Sequence, residues 1–166
     1  MVGQKIDGIE VSNAVKDILK NAVEKLSSEN VIPCLATVLV GDDPASATYV
    51  KNKHIACEKI GIETKDHKLS ANATQEELDG IIDQLNGDKD VHGILVQLPL
   101  PKQLDEFTTI SRISPIKDVD GLTPQNVGLL SIGKSILKPC TPSGIMEMFY
   151  YYKINLEGKN VVMINR

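Results

Sequence analysis

Tryptophan is absent from this 166-residue chain, and two phenylalanines and four tyrosines are its whole aromatic stock. No basic stripe interleaves with those aromatics, and 22 acidic against 18 basic residues give a net charge of −4, which excludes a nucleic-acid-binding surface as the main business of the chain. Cysteine is scarce, scattered and odd in number: Cys34, Cys57 and Cys140 argue against a disulfide framework and fit a reducing compartment. No apolar run approaches the roughly 20 residues of a membrane span. The opening Met1-Val2-Gly3-Gln4-Lys5-Ile6-Asp7-Gly8 has no apolar signal core. The expectation is a cytoplasmic protein that meets neither membrane nor nucleic acid. GxGxxG and Walker patterns are missing. His54, His67 and His92 lack metal-ligand spacing with each other or with the cysteines, so no metal is expected.

What is present alternates. Apolar residues at 11, 14, 15, 18, 19, 22, 23 and 26 mark a helix over 9–26. The run 32–40 reads as a buried strand. Gly41-Asp42-Asp43-Pro44 turns the chain, Pro44 suits the first helical position, and a helix follows to Ile60, closed by Gly61. A more polar strand is expected over 62–69. Thr74 and Glu77 have capping-box spacing before another helix. A third strand spans 91–98, and Pro99 and Pro101 end it. Short helices are expected over 106–113 and 143–152, with a punctuated stretch at 114–126 between them. Residues 160–164 read as a strand. The pattern predicts an α/β domain, a mostly parallel sheet flanked by helices, followed by the first strand of an incomplete Rossmann-type domain. That last strand implies a chain that is the front part of something longer.

Three segments carry candidate chemistry. Tyr49 and Lys53 lie one turn apart on one face of the helix that leaves the first strand, and open α/β sheets bind ligands beyond the carboxyl ends of their strands. Lys53 is then either a solvated surface charge or an amine that carries a proton. Gln97 sits at the carboxyl end of the third strand; its amide either pairs with loop backbone or faces a cleft and holds a lysine, a water or a substrate. In Lys117-Asp118-Val119-Asp120-Gly121, a calcium loop fails because Leu129 stands where the bidentate Glu is needed. Asp118 can cap a turn or pair with Lys117. Asp120 either stabilises a tight turn or accepts two parallel hydrogen bonds from a planar N–H pair on a heterocycle.

These segments together resemble the bifunctional methylenetetrahydrofolate dehydrogenase/methenyltetrahydrofolate cyclohydrolase family. The matching pieces are 40–46, Tyr49-Val50-Lys51-Asn52-Lys53, Val96-Gln97-Leu98-Pro99-Leu100-Pro101, 117–122, 126–128 and Pro139-Cys140-Thr141-Pro142-Ser143-Gly144, in the family's order and spacing. The resemblance implies one-carbon metabolism feeding purine biosynthesis. In it, an oxidoreductase and hydrolase oxidises 5,10-methylenetetrahydrofolate with NADP and hydrolyses the methenyl product to 10-formyltetrahydrofolate. It implies Lys53 as the acid/base, Gln97 as the residue that orients it, and Tyr49 packed on the folate rings. Asp120 then reads the amino-pyrimidine edge, with Leu98 and Pro99 as apolar wall. A lysine serves such a reaction near neutral pH only where desolvation or nearby positive charge frees a neutral amine. Residues 1–138 would form the folate-binding catalytic domain, and 139–166 a linker helix and the start of an NADP-binding domain.

The chain departs from the family at its end. Asn165 stands where relatives have glycine, and Arg166 matches the arginine that helps hold the cofactor phosphate. The full-length protein would be a homodimer, and this chain alone would lack dehydrogenase activity. The competing expectation is a non-catalytic folate- or partner-binding module.

Overall fold

The computed structural model describes Gly3 and residues 5–164. Helix α1 (Gly8–Ser28) starts at Asp7, whose carboxylate accepts from the Ile9 and Glu10 N–H groups. Strand β1 (Cys34–Val40) leads through Gly41 into α2 (Pro44–Ile60). Asp43 caps α2 by accepting from Ser46 N at 2.7 Å. Gly61 closes it in the left-handed conformation, φ 83°, and a Cβ there would stand 3.2 Å from the Val23 side chain of α1. Strand β2 (Glu63–Leu69) precedes α3 (Gln75–Gly87), which opens on the expected capping box: Glu77 N donates to Thr74 Oγ1, and Thr74 N donates to the Glu77 carboxylate. Strand β3 (Gly93–Val96) and α4 (Glu106–Arg112) follow, then α5 (Pro124–Ser131) and α6 (Cys140–Tyr151).

The strands form one parallel sheet in the order β2-β1-β3. Central β1 is apolar, whereas edge strand β2 reads Glu-Thr-Lys-Asp-His-Lys-Leu, a charged edge that discourages pairing with another chain. Residues 117 and 118 run beside β3, where Ile94 N donates to Lys117 O at 2.7 Å. Side chains alternate between the faces of the sheet. Ala36, Val38, Ile94 and Val96 join Leu78, Ile82 and Leu85 of α3 in the buried core, with Ile110 and Ile113 at its margin. Each of the three α3 side chains contributes about 1.5–3 kcal/mol by leaving water.

Three sequence expectations change. Residues 124–131, the end of the stretch read as punctuated and five residues given no element, form α5; Thr123 accepts from Asn126 N, and Pro124 takes the first turn, where its missing N–H costs nothing. The last helix begins at Cys140 rather than Ser143. Residues 161–164 join no sheet ladder and stand exposed, Ile164 at 95 %, because a strand forms only where a partner strand satisfies its backbone, and none lies beside this segment among the described residues.

Candidate functional site

Helix α2 packs over the second face of the sheet, the one to which Leu35, Thr37, Leu95 and Gln97 belong. Lys53 sits at mid-helix, and its Nζ donates to Gln97 Oε1 at 3.2 Å. The Gln97 amide is oriented from two sides. Its Nε2 donates to Leu98 O at 2.7 Å, and its backbone N–H donates to Val38 O at 2.9 Å. The carbonyl of Leu98 demands a donor and the lysine demands an acceptor, which fixes which end of the amide faces which. One end of its amide thus serves loop backbone and the other meets the lysine, while Gln97 itself is not among the residues lining the cleft beside it.

Beside this pair lies a cleft of about 640 Å³. Leu35, Ala56, Leu95 and Val119 make its apolar walls, and Lys53, Asp120 and Cys140 bring polar groups to it. That mixture of apolar wall and a few convergent polar atoms is what a small-molecule site needs.

The two aspartates of the 117–121 segment have different surroundings. Asp118 is 1 % exposed and accepts from Thr123 N and Asn126 Nδ2, both at 2.8 Å, while Gly121 N reaches its carbonyl. Burial pushes the Asp118 carboxyl up, but the Thr123 and Asn126 donors outweigh burial and hold it below the ordinary carboxylate range. Lys117 does not pair with it; its Nζ donates to the carbonyls of Leu85, Asn86 and Asp88 and so caps the end of α3. With the turn held by Asp118, the Asp120 side chain lines the cleft, where Cys140 Sγ approaches its Oδ1 at 3.6 Å and Val119 O at 3.3 Å.

Glycine makes that meeting possible. Gly121 has φ 64°, and a Cβ on it would lie 2.7 Å from the Lys138 carbonyl carbon and 2.9 Å from Pro139 N. Only glycine permits this approach, which delivers the first turn of α6 to Asp120. Cys140 was not among the expected site residues. The signal was the Pro139-Cys140-Thr141-Pro142 turn, which starts a helix directly at the cleft. Burial and the neighbouring Asp120 push the Cys140 thiol up, and burial does the same for Cys57, so neither has the character of an activated nucleophile.

Of the expected residues, the structure brings Lys53 and Asp120 to one cleft and joins Gln97 to it through Lys53. Tyr49 stands one turn before Lys53 and is 62 % exposed; it is not among the residues lining the cleft, nor are Leu98 and Pro99. Arg166, expected at the cofactor phosphate, lies outside the described residues. Among the described residues no group of three or more His, Cys, Asp or Glu side chains could hold a metal, and no helix is long and apolar enough to cross a membrane.

Residues 6–120 match the model of the tetrahydrofolate dehydrogenase/cyclohydrolase catalytic domain. The chain is 68 % identical over 166 residues to the bifunctional protein FolD of Nitrosopumilus maritimus, covering all of itself and 58 % of that protein. The solved bifunctional FolD methylenetetrahydrofolate dehydrogenase/cyclohydrolase of Campylobacter jejuni superposes with a TM-score of 0.91 at 47 % identity, over 93 % of this chain and 55 % of that one. The Trypanosoma brucei methylenetetrahydrofolate dehydrogenase-cyclohydrolase, solved with NADP cofactor and an inhibitor, superposes with a TM-score of 0.90 at 36 % identity, over 95 % of this chain and 54 % of that one. The chain thus spans a little over half the length of these relatives.

Proposed function

This chain belongs to the tetrahydrofolate dehydrogenase/cyclohydrolase family, and from that premise we propose that it supplies the folate-binding and hydrolytic part of a bifunctional enzyme of one-carbon metabolism. The substrate is 5,10-methenyltetrahydrofolate and the product 10-formyltetrahydrofolate. Water adds to the methenyl carbon and forms the C–O bond. The proton it sheds goes to the Lys53 amine; the hydroxyl so formed releases its own proton as it becomes the formyl carbonyl, one C–N bond breaks to open the ring, and that nitrogen takes its proton back from Lys53. The net change is one water consumed and one proton released. Gln97 holds the amine, Asp120 pairs with the amino-pyrimidine edge, Tyr49 packs on the folate rings as they enter, and Leu98 and Pro99 wall the approach.

The observation that carries this reading is the Lys53–Gln97 hydrogen bond of 3.2 Å at a cleft that also presents Asp120. An amine held by an amide acceptor beside apolar wall is arranged for proton transfer to a bound molecule rather than for solvation. The competing reading, a non-catalytic binding module, would use the same lysine only as a donor to the ligand, and turnover separates the two.

The longer protein would oxidise 5,10-methylenetetrahydrofolate with NADP as hydride acceptor, and would work in the cytoplasm as a homodimer, upstream of purine biosynthesis. NADP finds no glycine-rich phosphate cradle among the described residues, so hydride transfer is assigned to the whole protein and not to this chain. Residues 1–138 would form the folate domain. The linker helix and the start of the cofactor domain would take up 139–166, with the first turn of α6 lending Cys140 and Thr141 to the cleft.

Hydrolysis of methenyltetrahydrofolate, followed by its absorbance, tests the reading. The 166-residue chain is expected to exceed the uncatalysed rate, and Lys53→Ala to abolish the excess while folate still binds. Equal rates for the two proteins would refute the role given to Lys53.

A further inference from the structure

Lys53 and His54 are consecutive, so their side chains leave α2 about 100° apart. They reach opposite sides of the central strand. Lys53 crosses to Gln97 beyond the end of β3, whereas His54 reaches Thr37 of β1 and Asp66 of β2. Thr37 and Asp66 are register partners on adjacent strands and share a face. His54 Nε2 lies 2.7 Å from Asp66 Oδ1 and 3.0 Å from Thr37 Oγ1, and the Thr37 hydroxyl donates to that same Oδ1 at 2.7 Å. A carboxylate only accepts, so Nε2 carries the hydrogen. Thr37 is 1 % exposed, which places the node against the middle of the sheet.

A helix lying on a sheet can roll about its own axis. A side-chain tip about 5–6 Å from that axis moves about 2 Å for a roll of about 20°. Such a roll would open the 3.2 Å contact between Lys53 and Gln97. One 3.2 Å hydrogen bond on one side of β1 does not resist it alone; it simply opens. The shorter imidazole, bonded to two strands at once, does resist it.

We propose that His54 is a positioning residue. Held by Thr37 and Asp66, it fixes the roll of α2 and thereby keeps the Lys53 amine on Gln97. The proposal rests on the role given to Lys53 above, but the geometric coupling stands on its own and is measured separately.

The test reads the Gln97 side-chain amide by 1H–15N NMR on the 166-residue chain, with amide signals assigned. Lys53→Ala defines where that signal moves when the contact is lost. His54→Leu and Asp66→Ala are expected to shift it in the same direction. His54→Gln, which keeps an N–H donor at the position of Nε2, is expected to leave it near the native position. The Asn126 side-chain amide, held by Asp118 and Pro115, is the internal reference and stays put. Should His54→Leu fail to fold, Asp66→Ala decides, since the Asp66 side chain is 57 % exposed. A folded His54→Leu or Asp66→Ala protein with an unmoved Gln97 signal overturns the proposal.

Hydrolysis supplies the second readout. The kcat of His54→Leu is expected to fall about 10-fold or more with KM unchanged, as for a misplaced catalytic group, and His54→Gln to restore it. A native chain no faster than Lys53→Ala would refute the role of Lys53, and the NMR shift would still decide the coupling.

Discussion

One face of the sheet sets Ala36, Val38, Ile94 and Val96 against Leu78, Ile82 and Leu85, all of them close to fully buried. The other sets Thr37 and Gln97 under a helix that touches them through His54 and Lys53, and it leaves a cleft of about 640 Å³ walled by Leu95 beside Asp120. The same three strands supply both faces, because side chains alternate along each strand. The first face has apolar groups with no hydrogen-bonding demands, and its packing is where folding free energy is gained. The second spends that stability on hydrogen-bonded polar groups whose geometry is specified and which stand beside an open cleft. The contrast also explains why the candidate machinery sits on α2 and not on α3: a helix that seals a core has no room for an amine and a ligand.

Substitution on the packed face is expected to have the largest effect on folding. Ile82 is 0 % exposed, so Ile82→Ala should cost about 2–5 kcal/mol, read as a lowered urea midpoint at unchanged slope. A loss below about 1 kcal/mol would mean that the two faces are not as different as their burial says.

A smaller loss is expected at the seam between the faces and the helix that closes the cleft. Gly121→Ala places a methyl 2.7 Å from the Lys138 carbonyl carbon at φ 64°. The left-handed conformation costs an alanine about 1–2 kcal/mol, and the backbone at 138–139 must also retreat. The variant should therefore lose about 2 kcal/mol and, because α6 moves with that backbone, weaken folate binding as well. Unchanged folate affinity in a destabilised variant would detach α6 from the cleft.

Much of this architecture was legible in the sequence where the rule is local. Pro44, Gly61 and the Thr74–Glu77 box mark helix ends through contacts only a few residues apart, and each occurs where expected. The Tyr49–Lys53 face follows from helix geometry alone, and the α/β class from alternation. What escaped depends on residues distant in sequence. Helix α5 is the exception, a local start signal at Thr123-Pro124 that the punctuation around it hid, with Asp118 accepting from Thr123 N and Asn126 Nδ2 beside it. Residues 160–164 have strand composition but no neighbour, and composition does not supply one. Cys140 reaches Asp120 only because Gly121 lets residues 138 and 139 approach, and His54 reaches Asp66 only because β2 lies beside β1. The Asp-x-Asp-Gly segment could not say which carboxylate held the turn and which was free for the cleft.

That division between Asp118 and Asp120 yields the subtlest effect. Asp118 is a structural carboxylate: its folded pKa lies below the ordinary value because the Thr123 and Asn126 donors outweigh burial. The unfolded chain therefore binds this proton at a higher pH than the folded chain does. The stabilisation is fully present above the ordinary aspartate range, near about pH 4, and is lost as pH falls through the depressed folded value. Asp118→Asn removes the charge but keeps the shape, so it should cost about 1 kcal/mol at neutral pH, the difference between a charge-assisted and a neutral hydrogen bond. The gap between native and variant proteins should then close as urea unfolding is repeated at successively lower pH through the acid range. Asp120→Asn makes the complementary test: its side chain lines the cleft, so folate affinity should fall while the unfolding free energy at neutral pH, read from urea, stays within about 0.5 kcal/mol of native. A gap for Asp118→Asn that stays constant with pH would remove the carboxylate from the stability of the turn. Equal unfolding losses for the two variants would show that the turn depends on both aspartates, and the separation of a structural from a ligand-facing carboxylate would fail.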